Sequence, residues 1–337
     1  MKSNPLASLA SLVTLILIPA SGALGNWGPD QRLTSDGSSS LTSWNGAWCV
    51  AAADSAVHVV WYDFRDGQWE IYYKRSLDNG ASWEADRHLT SGSIQSTFPA
   101  VAARDSLVHV VWAEFDGRWG ISYRRSADRG ATWEDAVRLA VSAGSGTTYY
   151  PSVAAEGSCV HVVWQDSGPG NDEIYYLGSL DNGSTWSGRR LTVTDDPSKV
   201  PSVAASSTFV HVVWQEWPSS ACEEIHYLRS TDLGLTWVPE ETLAAGESPA
   251  TNPSVAADGS VVHVVWSDAR ETAGGIYWRG SGDDGATWKM SASSHRGRGL
   301  LGAVPPWRFP PLMWTLSGST DATAMLRPTT PDRRTAG

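Results

Sequence analysis

The chain has 337 residues, 41% hydrophobic and 18% charged, so it can bury a sizeable core and is not an intrinsically disordered sequence. A formal charge of −11, from 36 acidic against 25 basic residues, argues against a general nucleic-acid binder, which needs clustered lysine and arginine to neutralise phosphates. Nineteen tryptophans, 32 glycines and 18 prolines point to many short strands and turns rather than to a helical bundle.

At the N-terminus Lys2 precedes an apolar run from Leu6 to Ile18, followed by Pro19 and the small residues Ala20, Ser21, Gly22 and Ala23. This order of basic, apolar and small residues describes a secretory signal over residues 1–25, cleaved after Ala23 or Gly25. The run is shorter than the ~20 residues a spanning helix needs. The expected location is therefore secreted, periplasmic or at the cell surface, with no membrane span once the signal is removed.

From there the chain repeats. Val-His-Val-Val-Trp occurs five times, centred on His58, His109, His161, His211 and His263, at steps of 51, 52, 50 and 52 residues. Each copy is followed by Ser-x-Asp-x-Gly-x-(Ser/Thr)-Trp, with aspartates Asp78, Asp128, Asp181, Asp232 and Asp283. A repeat of about 40–50 residues carrying four short strands predicts a β-propeller. The predicted strands are, in order, one near Pro-Ser-Val-Ala-Ala (Pro151 to Ala155), the Val-His-Val-Val-Trp strand, an Ile-Tyr-Tyr strand (Ile71, Ile174, Ile276), and one carrying Leu89, Leu139, Leu191 or Leu243. The second strand is apolar on both faces, as a strand sandwiched between blades must be. The predicted fold is all-β, a propeller of four-stranded antiparallel blades over residues 26–288 with five recognisable blades. The fifth repeat loses the fourth-strand pattern after Trp288, and Arg32-Leu33-Thr34 resembles Arg190-Leu191-Thr192; the N-terminal segment is expected to complete the last blade and close the ring.

Residues 289–337 differ in kind. They hold six prolines and seven lysines or arginines against Asp321 and Asp332, which makes them +5 and leaves −16 for residues 1–288. A basic, Pro-rich disordered tail is the simplest reading, and a degraded last blade the sharper one. Cys49, Cys159 and Cys222 are too few for a disulfide framework and read as small core residues, with one disulfide open.

The Ser-x-Asp-x-Gly motif is explained by turn chemistry. The carboxylate accepts backbone N–H groups, the glycine supplies a positive φ, and the tryptophan plugs the turn. Five copies argue for a structural role, since a catalytic acid is needed once. The five histidines, spread around a ring, read as core residues with one hydrogen-bond partner each. Function is expected in the loops after the second strands, which continue as Trp-x-acid: Asp63, Glu114, Asp166, Glu216 and Asp268. Arg65, Arg118 and Arg270 share those loops, beside Trp69, Trp119 and Trp217. Acids, arginines and aromatic rings on one face suit sugars, through bidentate hydrogen bonds and stacking; alternatively each arginine pairs with its neighbouring acid and holds the loop.

The five Ser-x-Asp-x-Gly-x-Thr-Trp copies resemble Asp-boxes, or BNR repeats, and residues 27–288 resemble the sialidase superfamily of propellers. That resemblance implies six blades, retaining hydrolysis of terminal sialic acids without a metal, three arginines on the substrate carboxylate, a Tyr–Glu nucleophile and an aspartate acid/base. This chain has no Arg-Ile-Pro before its first Asp-box, its last tyrosine is Tyr277 and its last glutamate Glu271. Asp63, with Arg65, Arg118 and Arg270, matches the family's acid and carboxylate clamp by residue type and expected face, not by a family motif. The expectation is a carbohydrate-binding or interaction module, with an exo-α-sialidase-type glycoside hydrolase and a protein-binding scaffold as alternatives. Glycans or glycoconjugates are the expected partners and a monomer the expected state; no cofactor is expected, and no EF-hand spacing supports a metal.

Overall fold

The computed structural model describes residues 30–43, 48–92, 94–219, 221–271, 274–289 and 292–293. The expected signal segment lies outside the described residues, as does the tail apart from Lys289 and the pair Ala292–Ser293. The chain divides into a unit spanning Met1–His295 and a second spanning Arg296–Gly337, and all of the described residues belong to the first.

Every regular element among the described residues is a strand. The first blade contains β1 (Ser40–Leu41), β2 (Val50–Ala53), β3 (Ala56–Asp63), β4 (Glu70–Ser76) and β5 (Arg87–His88). The second contains β6 (Gln95–Arg104), β7 (Leu107–Phe115), β8 (Trp119–Ser126) and β9 (Val137–Val141). The third contains β10 (Thr148–Glu156), β11 (Cys159–Asp166), β12 (Glu173–Ser179) and β13 (Ser187–Arg190). The fourth contains β14 (Ser198–Ser206), β15 (Phe209–Glu216), β16 (Glu224–Ser230) and β17 (Glu241–Ala244), and the fifth β18 (Ala250–Asp258), β19 (Val261–Asp268), β20 (Gly275–Ser281) and β21 (Ala292–Ser293). Blades two to five are antiparallel meanders in sequence order, and in the first, β1 and β2 both pair with β3. The inner strands β2, β6, β10, β14 and β18 lie side by side from blade to blade.

Strand alternation explains why Val-His-Val-Val-Trp is apolar throughout. In the second blade Val108, Val110 and Trp112 point back into the core shared with Val60, Ile71 and Tyr73 of the first. Val111 points forward, with Ile121 and Tyr123, into the core shared with Val153, Val160 and Val162 of the third. These valines are fully buried, each contributing about 1.5–3 kcal/mol of apolar transfer.

The Asp-box joins neighbouring blades. In the second blade Ser126 donates to Asp128 (2.7 Å), and the Asp128 carboxylate accepts the Thr132 amide (2.7 Å) and hydroxyl (2.6 Å). These bonds, led by the hydroxyl of residue 132, hold the Asp128 carboxyl at about 2. The glycine is required by the blade before it. The Tyr73 ring packs edge-on against Trp133, centroids 4.9 Å apart, and a Cβ on Gly130 would lie 1.9 Å from the Tyr73 hydroxyl. The same seating recurs for Tyr123 at Gly183, Tyr176 at Gly234 and Tyr227 at Gly285. Behind each tyrosine its hydroxyl meets a histidine Nδ1 of the adjacent strand: His58 (2.7 Å), His109 (2.7 Å), His161 (2.8 Å) and His211 (2.7 Å).

The last blade corrects two expectations. Its fourth strand is β21, which pairs with Tyr277 and Trp278, so Arg32–Thr34 does not complete it. Two residues of backbone pairing need no side-chain pattern, which is why the sequence conceals this strand. Leu33 instead lies beside the first blade, its carbonyl accepting the Lys74 ammonium. Among the described strands no stacking like that between successive blades joins the fifth back to the first. The forward face of the fifth blade accordingly leaves Val261, Val265 and Ile276 exposed. The described cysteines form no disulfide; Cys49 and Cys159 are buried and Cys222 is only half-buried.

Candidate functional site

The Asp-boxes occupy one end of the blades, and the Trp-x-acid segments close the second strands at the other. Residues i and i+2 of a strand share a face, so each acid lies beside its own tryptophan. Indole N–H groups donate from Trp61 to Asp63 (3.2 Å), Trp112 to Glu114 (2.8 Å), Trp214 to Glu216 (2.9 Å) and Trp266 to Asp268 (3.1 Å). Hydroxyls add to this: Ser40 donates to Asp63 (2.7 Å), Ser142 to Asp166 (2.6 Å) and Ser198 to Glu216 (2.7 Å). Burial opposes ionisation of Asp63, but hydrogen bonds from Arg65, Ser40 and Trp61 outweigh it and hold the carboxyl at about 2. Asp268 is likewise held below the usual range: burial raises its pKa, and the Arg270 bonds more than compensate.

The three arginines are engaged separately. Arg65 binds Asp63 and Asp86, each at 2.9 Å. Arg270 donates through Nε to Asp268 at 2.9 Å. Arg118 donates to the Ser142 carbonyl at 2.6 Å. The guanidinium carbons of Arg65 and Arg270 sit 4.1 Å from the ring centres of Tyr72 and Tyr277, whose hydroxyls donate to Asp66 and Glu271. The first and fifth blades thus carry the same four-part cluster. Among the described residues no bond brings Arg65, Arg118 and Arg270 to a common point, and no group of acids, histidines or cysteines could hold a metal ion.

The residue between each tryptophan and acid points the opposite way, toward the following blade. There Tyr62, Gln165 and Gln215 help to line two concavities. One, of about 270 Å³, is walled by Tyr62, Trp69, Phe98 and Trp119. The other, of about 430 Å³, is walled by Gln165, Lys199, Gln215, Trp217 and Asn252. Tyr149 and Tyr150 belong to both. Ring centroids run in steps from Trp69 to Tyr62 (5.0 Å), Tyr62 to Phe98 (5.5 Å), Phe98 to Tyr149 (5.5 Å) and Tyr149 to Trp119 (5.0 Å). Three blades therefore contribute to one row of edge-packed rings.

Bulges in the inner strands aim these side chains. Each of β6, β10, β14 and β18 gains an extra residue just before its Pro-Ser-Val or Pro-Ala-Val segment. The residue ahead of the proline adopts a positive φ: Phe98 (53°), Tyr150 (52°), Val200 (49°) and Asn252 (54°). For bulky or β-branched side chains that region is strained, and it turns them out of the ladder. The amides so displaced are satisfied by the neighbouring blade where it offers glutamine: Gln165 Oε1 accepts the Val200 N–H and Gln215 Oε1 the Asn252 N–H, both at 3.2 Å.

Of the residues expected to form a site, Trp69, Trp119 and Trp217 reach these concavities, whereas Asp63, Glu114, Asp166, Glu216, Arg65 and Arg118 do not line them. Asp268 and Arg270 line a separate, smaller hollow with Gly246 and Glu247. Sequence reasoning missed Tyr62, Gln165 and Gln215. Period-two alternation within Trp-x-acid is the signal that places them opposite the acids.

A family described as a BNR repeat-like domain matches residues 16–213. No curated protein matches the chain. Among solved structures, a Dyadobacter fermentans protein of unknown function is similar at 13% identity and a TM-score of 0.51, covering 71% of this chain and 81% of the other. A mutant of the NanB sialidase from Streptococcus pneumoniae gives 13% identity and 0.51, covering 79% and 63%. The endosialidase of phage phi92 gives 9% identity and 0.51, covering 72% and 56%. The chain thus spans less than two thirds of either sialidase, and these likenesses concern the fold.

Proposed function

The chain belongs to the BNR repeat-like domain family, and on that footing we propose that it is a carbohydrate-binding propeller. The row of rings from Trp69 through Tyr149 to Trp119, on the end away from the Asp-boxes, carries this reading. Half-buried aromatic edges beside carboxamides offer a sugar both an apolar floor and fixed donors. The hydrolase reading has less support, because Arg65, Arg118 and Arg270 are each held by a different partner. The basic and apolar N-terminal segment supports an exported protein that meets glycans outside the cytoplasm. No described helix is long and apolar enough to cross a membrane.

The test is binding of the purified chain to immobilised glycans, beside Trp119→Ala with its melting temperature checked. Retention by the parent and loss in a folded Trp119→Ala chain is the expected result. No retained glycan, or retention indifferent to Trp119, would overturn the proposal. Release of sialic acid from a fluorogenic sialoside would establish a hydrolase instead.

A further inference from the structure

The two concavities differ from a site for an acidic terminal sugar in charge and in extent. Lys199 is the one charged side chain among the residues that line them. Its ammonium is already committed, 3.4 Å from the Asp172 carboxylate and 3.9 Å above the Trp217 ring. Arg65 is held by Asp63 and Asp86, Arg270 by Asp268, and Arg118 by the Ser142 carbonyl. Around them the second strands end in five acids, and residues 1–288 carry a net −16, from −11 overall and +5 in residues 289–337. An anionic sugar entering here would lose its hydration, find Lys199 as the one lining cation, already paired, and face a field of its own sign.

What the walls do offer is uncharged. The Oε1 atoms of Gln165 and Gln215, both lining residues, are taken by backbone N–H groups, which leaves Nε2 as the amide group each has to offer. Asn252 and Thr251 add an amide and a hydroxyl. Extent is the second observation. The concavities adjoin each other at Tyr149 and Tyr150, which line both, and Trp217 carries the aromatic lining onto the fourth blade.

We infer that this groove binds an extended, uncharged glycan chain of several sugar units laid across the inner strands, rather than a sialylated or other acidic terminus. The inference rests on the carbohydrate-binding reading above and names the ligand class of that same site. Successive units add contacts along the lining, so affinity grows with chain length, and no ion pair forms, so salt has little effect.

Calorimetric titration of the full chain tests it. The probes are neutral gluco-, xylo- and manno-oligosaccharides from disaccharide to hexasaccharide, with sialyllactose and oligogalacturonides for comparison, at low and at high salt. The expected result is a rise of about tenfold or more from disaccharide to hexasaccharide in at least one neutral series, unchanged by salt, and lost by about tenfold in Trp217→Ala. Trp217 is exposed, so this variant should fold, and Trp119→Ala gives a second reading at the other end. Binding confined to acidic sugars, affinity independent of length, or strong salt dependence would overturn the inference while leaving a carbohydrate-binding protein. Binding to none of these glycans would remove the inference and the broader reading together.

Discussion

Acid should unfold this protein well above the pH at which its carboxylates titrate. Burial pushes His58, His109, His161 and His211 from 6.5 down to about 4, with Arg75, Arg125 and Arg229 adding repulsion at the first, second and fourth. Such an imidazole stays neutral in the fold but takes up a proton once the chain opens. Its stabilising effect is whole above pH 6.5 and is lost progressively down to about 4. The full window amounts to about 3 kcal/mol per histidine, and by pH 5 about 2 kcal/mol each is gone. Four together remove roughly 8 kcal/mol at pH 5, comparable to the whole stability of a typical domain. His226 works in the opposite sense. Burial lowers its pKa, but bonds to Glu240 and Glu224 raise it overall, so it contributes most below 6.5 and offsets part of the loss. The Asp-box carboxylates, held at about 2, lose their contribution only between about 4 and 2. Urea midpoints followed by tryptophan fluorescence should fall steeply from pH 7 to 5, and His161→Gln should flatten the slope by about one proton. An unchanged midpoint over that interval, or the parental slope in the variant, would refute the assignment.

Two further predictions separate scaffold from site. Gly183→Ala should cost about 2–4 kcal/mol in urea unfolding, because the new Cβ meets the Tyr123 hydroxyl at 2.1 Å and φ is +84°. Arg65→Ala should lower stability by about 2–4 kcal/mol, since it strips the unexposed Asp63 carboxylate of its principal donor. Glycan affinity measured below the shifted melting range should stay within about threefold of the parent; a selective loss of binding in a chain of parental stability would place Arg65 in the site.

The scaffold was legible because its determinants recur. Val-His-Val-Val-Trp and the Asp-box repeat in five copies, and the blades they specify are found with the expected strand order. What escaped the sequence lay where backbone pairing or a bulge, not a side-chain pattern, decides the outcome. Ala292–Ser293 forms a strand on two residues of main-chain register. The bulge before Pro99, Pro151, Pro201 and Pro253 reads locally as an ordinary X-Pro step, which favours extended rather than left-handed backbone at the preceding residue. The ladder on both sides holds the chain in that conformation, with a glutamine of the neighbouring blade added at Val200 and Asn252.

Repetition also separates the two roles within the chain. A position bearing the same residue in every blade answers a demand that every blade makes, such as seating the preceding tyrosine at Gly130, Gly183, Gly234 and Gly285. A position that changes from blade to blade while keeping its backbone geometry is released from that demand. The residue before the bulge proline is Phe98, Tyr150, Val200 and Asn252 in turn, all at a φ near +50°. The residue inside Trp-x-acid is Tyr62, Ala113, Gln165, Gln215 and Ser267. In these two sets Tyr62, Phe98 and Tyr150 are aromatic and Gln165, Gln215 and Asn252 bear amides, whereas Ala113, Val200 and Ser267 offer neither. On the proposed reading, a ligand long enough to span both concavities would meet rings in each and most of the amides in one, so near-identical blades can still present an uneven surface.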